Sequence, residues 1–182
     1  MGDGSTANRD TPVPVQGVRN AVAIAAGGGG FSAALLSDST VMTWGNTLGG
    51  ALGRAPWDGG YAPGPVPARV PGVNGIRAIA AGGAHMIALT ETRTVISWGH
   101  DTFGSLGRGN NKTNRPGVVP SLTGVHSIVA RDSTCVATLA SGRMMTWGGV
   151  RPWTRPEGSH DDLSRSPILL WLDGLDQPGP AA

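Results

Sequence analysis

Charge is scarce in this chain. Only 14% of its 182 residues are Asp, Glu, Lys or Arg, against about 25% in ordinary domains, and the formal net charge is +2. That excludes the highly charged kind of disorder. The pI near 9.3 does not by itself make a nucleic-acid surface. No run of five Lys or Arg occurs, and neutralising several phosphates takes clustered cations. A single cysteine, Cys135, rules out an intrachain disulfide framework. It lies in the apolar stretch Thr134-Cys135-Val136-Ala137 and reads as a small buried hydrophobe. No stretch approaches eighteen consecutive apolar residues, and no charged segment followed by an apolar one opens the chain, so no membrane span is expected. The compartment is left open, because the chain starts in mid-repeat and a longer precursor would carry its own leader.

Signatures of catalysis are equally absent. There is no His-Glu-x-x-His, Cys-x-x-Cys or Gly-x-Ser-x-Gly, and no dinucleotide fingerprint in a strand-turn-helix context. Gly107-Arg-Gly-Asn-Asn-Lys-Thr113 has the outline of a phosphate loop, but Asn111 stands where the glycine before the lysine belongs. Asn111-Lys112-Thr113 is also a glycosylation sequon, relevant only in a eukaryotic secretory pathway. His85, His100, His126 and His160 show no i, i+4 pairing. Glu157 with His160-Asp161-Asp162 reads as a solvated acidic loop rather than a hard-cation site. The expectation is a chain without catalytic residue, metal or cofactor.

What is present is glycine, proline and a period. Thirty glycines and fourteen prolines make up close to a quarter of the chain, a composition that without periodicity would indicate low complexity. Here Trp-Gly recurs at Trp44-Gly45, Trp98-Gly99 and Trp147-Gly148, spaced 54 and 49 residues apart. Ile24–Gly45 (IAAGGGGFSAALLSDSTVMTWG) aligns with Ile79–Gly99 (IAAGGAHMIALTETRTVISWG) and Ile128–Gly148 (IVARDSTCVATLASGRMMTWG). After the first two follow Leu48-Gly-Gly-Ala-Leu-Gly53 and Phe103-Gly-Ser-Leu-Gly107, then proline-punctuated tails such as Pro65–Pro71 and Pro116–Pro120. Units of about fifty residues cannot bury a hydrophobic face alone and must stack on their neighbours.

This succession resembles the regulator of chromosome condensation repeat family, and the resemblance covers roughly Gly2 to Leu175. Two departures stand out. Only the second unit has a histidine in the Gly-x-x-His-Thr-like segment, His85, where the first has Phe31. The third unit has no Gly-x-Leu-Gly after Gly148. The Gly2–Val15 segment looks like a tail without its head. The boundaries follow: a preceding repeat's tail 2–17, repeat one 18–72, repeat two 73–124, repeat three 125–175 and a disordered tail 176–182.

Each unit offers about four short strands separated by turn residues. In the second these are Ile76–Ala81, Met86–Thr90, Thr94–Trp98 and a tail strand, Pro65–Val70 or its later equivalent Val118–Leu122. Four short antiparallel strands with one tryptophan per unit predict an all-β fold, a partial or open β-propeller of about three to four four-stranded blades. Trp44, Trp98 and Trp147 are expected to be structural, each burying roughly 150–250 Å² between blades. Thirteen arginines to one lysine suggest a bacterial source.

The resemblance implies a non-catalytic protein-binding scaffold, with inhibition of a partner enzyme as one mode. The alternatives are a propeller-based enzyme or subunit, and an exchange-factor-like or chromatin-binding module. Aromatic and arginine residues in loops have the composition of interface hot spots. The candidates are Trp57, Asp58 and Tyr61 after the first unit, His100, Asp101 and Phe103 after the second, and Arg151, Trp153 and Arg155 in the third. A protein partner is expected, and self-association through open propeller edges is a further expectation.

Overall fold

The computed structural model describes residues 1–54, 64–109, 113–149 and 164–170. The first unit supplies strands β1 (Ala21–Gly27), β2 (Phe31–Leu36), β3 (Val41–Gly45) and β4 (Gly64–Arg69). The second supplies β5 (Ile76–Ala81), β6 (His85–Thr90), β7 (Val95–Gly99) and β8 (Gly117–Val118). The third supplies β9 (Val125–Arg131), β10 (Thr134–Leu139), β11 (Met144–Gly148) and β12 (Ser164–Leu170). Each set forms its own four-stranded antiparallel sheet in sequence order, so every blade is made from one contiguous stretch of chain. The fold is all-β and of propeller type, with three blades among the described residues.

Register is the same in each blade. Trp44, Trp98 and Trp147 pair with Ser32, Met86 and Cys135, and the following glycines pair with Phe31, His85 and Thr134. A tight turn joins the second and third strands of each blade, and Ser39, Arg93 and Gly142 hold its positive-φ position at 61°, 62° and 83°. The expected tail strand Val118–Leu122 is shorter in the structure, where β8 is only Gly117–Val118. Pro120 has no N–H to continue the ladder, and Ser121 turns the chain with φ 59°. One bond still ties the tail down, Val119 N–H donating to the Val95 carbonyl at 2.8 Å.

The cores lie between blades rather than within them. Phe31, Ala33, Leu35 and Val41 of blade one meet Met86, Ala88 and Trp98 of blade two. Ile87, Leu89 and Val95 on blade two's other side meet Cys135, Ala137 and Trp147 of blade three. Successive strand residues point to opposite faces, so β6, covered on both sides, is buried at all six positions. Blade one's outer side is covered locally, with Val15 and Val18 packed over Ala34, Leu36 and Trp44.

Candidate functional site

The tryptophans are seated by the unit before them. Trp98 and Trp147 are fully buried. The Trp98 Nε1–H donates to the Ala51 carbonyl at 3.1 Å, and that of Trp147 to the Ser105 carbonyl at 3.0 Å. Both carbonyls belong to the Gly-x-Leu-Gly block of the preceding unit. Gly53 and Gly107 close these blocks with φ 67° and 66°, and a Cβ on either would lie 2.7 and 2.8 Å from the indole. Trp44 has the glycine contact of this seat from Gly2, with φ 85° and 2.7 Å from a Cβ there to Nε1. Gly2 therefore occupies the place of a block's last glycine. The block is also tied to its own blade, Thr43 Oγ1–H donating to the Leu52 carbonyl and Ser97 Oγ–H to that of Leu106, both at 2.7 Å. In the third unit, which has no such block, Thr146 turns its hydroxyl to the Cys135 carbonyl at 2.9 Å.

A histidine and a cysteine meet across the second blade junction. His85 Nε2 lies 3.0 Å from Cys135 Sγ, and that thiol donates to the Ser105 carbonyl at 3.5 Å. Burial pushes the His85 imidazole down to about 4, with Asp101 opposing the shift. Burial pushes the Cys135 thiol up. Both groups are therefore neutral near pH 7, and a protonated thiol is a poor nucleophile. Glycine makes room for the ring: a Cβ on Gly82 would overlap His85, as one on Gly27 would overlap Phe31. The third blade has Arg131 at that glycine position, and there the ring is replaced by the smaller Thr134.

Two arginines, Arg108 buried and Arg54 half-buried, were not singled out by sequence reasoning, although Leu-Gly-Arg closes both blocks. Arg54 Nη2 donates to the Thr43 carbonyl at 3.2 Å. Arg108 donates to the carbonyls of Arg115, at 3.0 Å, and Thr113. Gly64 and Gly117 leave space for these guanidinium groups. The Nε of each is buried without a hydrogen-bond partner among the described residues, and burial lowers both arginine pKa values. Arg108 thus props the segment that follows its block, while Arg54 is tied back to β3.

Of the candidate contact residues, the described ones are His100, Asp101 and Phe103, which lie at one end of the blades. That end carries the turns between first and second strands and the short 3-10 turns Leu48–Gly50 and Thr102–Gly104. The two features are tied together, Asn46 N–H donating to the Gly30 carbonyl at 3.0 Å, His100 to Ala84 at 2.9 Å and Gly149 to Ser133 at 3.1 Å. His100 is exposed, with Nδ1 2.5 Å from Thr102 Oγ1, and it lies so close to Gly49 that a Cβ there would be 2.5 Å from its own. Phe103 is 54% exposed and adopts φ 56° where the first unit has Gly49 at 62°. Leu48, which sequence reasoning did not single out, is exposed beside Gly49. Asp101 turns inward instead. It accepts from the Leu106 N–H at 3.0 Å and pairs with Arg165 of β12 at 3.6 Å, so its carboxylate braces the block and the third blade. Trp57, Asp58, Tyr61, Arg151, Trp153 and Arg155 lie outside the described residues, as do Glu157, His160 and the tail 176–182. Among the described residues no three His, Cys, Asp or Glu side chains gather in a way that could hold a metal ion. No helix there is long and apolar enough to cross a membrane.

Comparison with known proteins agrees with this architecture. The family model for the Regulator of chromosome condensation (RCC1) repeat matches residues 76–105, which run from β5 through the second 3-10 turn. The chain is 31% identical over 160 residues to the mitochondrial RCC1 domain-containing protein RUG3 of Arabidopsis thaliana, covering 86% of this chain and 36% of that one. It is 32% identical over 133 residues to the Ultraviolet-B receptor UVR8 of the same plant, covering 70% of this chain and 29% of that one. The human E3 ubiquitin-protein ligase HERC2 is 30% identical over 145 residues, which are 3% of its length. The chain thus spans about a third or less of these relatives. In fold it is similar to a chain of the yeast RCC1 (Prp20) complex with Kap60, with TM-score 0.74, 23% identity, and 87% and 38% of the two chains covered. Human WBSCR16 aligns with TM-score 0.66 and 19% identity over 82% and 37%. These relatives come from a plant, yeast and human, and lend no support to the bacterial source suggested by the arginine excess. With three equivalent blades, a tryptophan at the same register position in each, and relatives built on the same unit, the chain belongs to the regulator of chromosome condensation repeat family.

Proposed function

We propose that the chain is a non-catalytic scaffold that binds a partner protein at the blade end carrying the 3-10 turns. The observation that carries this reading is Phe103. A bulky residue in the left-handed region is an outlier, such strain clusters at functional sites, and here it presents an aromatic ring to solvent. His100 and Leu48 extend the same surface. Loops held by a rigid sheet framework are where binding residues concentrate, and Arg108 ties down the segment after the second block. Trp57, Asp58 and Tyr61 follow the first block in sequence, Arg151, Trp153 and Arg155 follow the third Trp-Gly pair, and all six belong to this proposal. A related fold engages a partner protein in the complex of Kap60 with yeast RCC1 (Prp20).

The test is affinity capture from the native source with the parent chain, with Phe103→Ala and Trp153→Ala, and with Arg143→Ala as control. Arg143 is exposed at the opposite end of blade three. A partner retained by the parent and the control, and lost by the loop variants, supports the face. Equal capture by all four refutes it.

A further inference from the structure

The two ends of the blades use arginine differently. At the end with the 3-10 turns, Arg165 pairs with Asp101 and Arg131 lies 3.7 Å from Asp132, while Arg54 and Arg108 donate to backbone carbonyls. Among the described residues Arg19, Arg77, Arg93 and Arg143 are exposed and make no side-chain hydrogen bond or ion pair. All four lie at the opposite end, where each first strand begins and each second strand turns into the third.

Two of them form a continuous line with His126. Each first strand has a bulge near its start, with Val22 in β1, Arg77 in β5 and His126 in β9 standing between paired residues. A bulge re-aims the side chain that it inserts. Arg93 N–H donates at 3.0 Å to the carbonyl of Thr90, which pairs with Ile76 beside Arg77. The Arg93 carbonyl in turn accepts at 3.0 Å from the N–H of Val125, beside His126. Arg77, Arg93 and His126 thus succeed one another across the junction of blades two and three. The fold does not call for these cations, since blade one has Val22 at the same bulge and Ser39 at the same turn position, with φ 61° against 62° for Arg93. Blade two is packed on both sides, so the exposure of Arg77 and Arg93 survives the presence of neighbours.

We propose that this line binds an acidic peptide segment of a partner protein, with Arg77 and Arg93 receiving its carboxylates and His126 marking the line's end at the junction. The guanidinium fork matches a carboxylate in bidentate fashion, and neither arginine has an internal pair to give up. A nucleic acid fits less well. Its backbone carries a charge at every phosphate, and the exposed carboxylates Asp38 and Glu91 stand at this same end. The surface is distinct from the loop face with Phe103, so either reading can fail while the other stands.

Selection of a displayed random peptide library on the 182-residue chain tests it, followed by titration of the selected peptides against Arg77→Gln, Arg93→Gln and Arg131→Gln. Arg131 is an exposed arginine at the other end of the blades, and its variant makes the same change in net charge. The selected peptides are expected to be enriched in Asp and Glu, and to bind Arg77→Gln and Arg93→Gln about tenfold more weakly. Binding to Arg131→Gln stays within about twofold of the parent, and all three variants melt with it. Peptides without acidic enrichment overturn the proposal. An equal loss in Arg131→Gln does so too, because it reduces the effect to net charge. Tighter binding of an oligonucleotide that displaces the peptides at the same salt assigns the line to nucleic acid instead. Binding that is lost in Phe103→Ala and kept in Arg77→Gln moves the peptides to the loop face and refutes this site.

Discussion

At the scale of single residues, His85 and Gly53 make the sharpest predictions. The folded chain holds the His85 imidazole at about 4, below the ordinary 6.5. An unfolded chain therefore binds a proton as the pH falls below 6.5, while the folded chain resists it until about 4. Stability present at neutral pH is lost across that window, by about 3 kcal/mol if the whole shift counts. Phe31 fills the same register position in blade one. His85→Phe is therefore expected to fold and to flatten the fall in melting temperature between pH 6.5 and 4. Gly53→Ala sets a Cβ 2.7 Å from the Trp98 ring at φ 67°, combining overpacking with left-handed strain. A loss of about 1–3 kcal/mol in urea unfolding is expected, short of the roughly 3–5 kcal/mol of Trp98→Ala.

At the scale of elements, the strands were legible because alternation and turn residues recur with the period, and the tryptophans because their spacing is fixed. Boundaries slipped where proline intervened, as at Pro120. The blocks were legible as motifs, but what they do was not. Seating the next blade's indole is a contact between residues 47 apart, Ala51 and Trp98, and only the folded chain shows it. The same holds for Asp101, which has the composition of a contact residue yet turns inward toward Leu106 N–H and Arg165. Phe103 could be read as an exposed aromatic, but its left-handed backbone could not. That backbone yields a further expectation: Phe103→Gly relieves the strain and raises stability by about 1 kcal/mol or less, while it removes the ring from the proposed contact face. Thermal melts and partner capture on one preparation read both effects, and a variant that melts well below the parent would contradict the strain argument.

At the scale of the whole molecule, exposure depends on neighbours more than on residue type. Ile24, Ile79 and Ile128 are the same residue in the same register, yet Ile24 is 81% exposed while the other two pack against the preceding blade. No composition or motif distinguishes them. Gly2 shows the reverse case, a glycine whose role is recognisable only beside Trp44.

Each sheet is completed within its own length of chain, so adding or deleting a whole module severs no hydrogen-bonded ladder. Change in copy number then costs a lineage only the remaking of one seam, which leaves total size free to drift while the seam's chemistry stays under constraint.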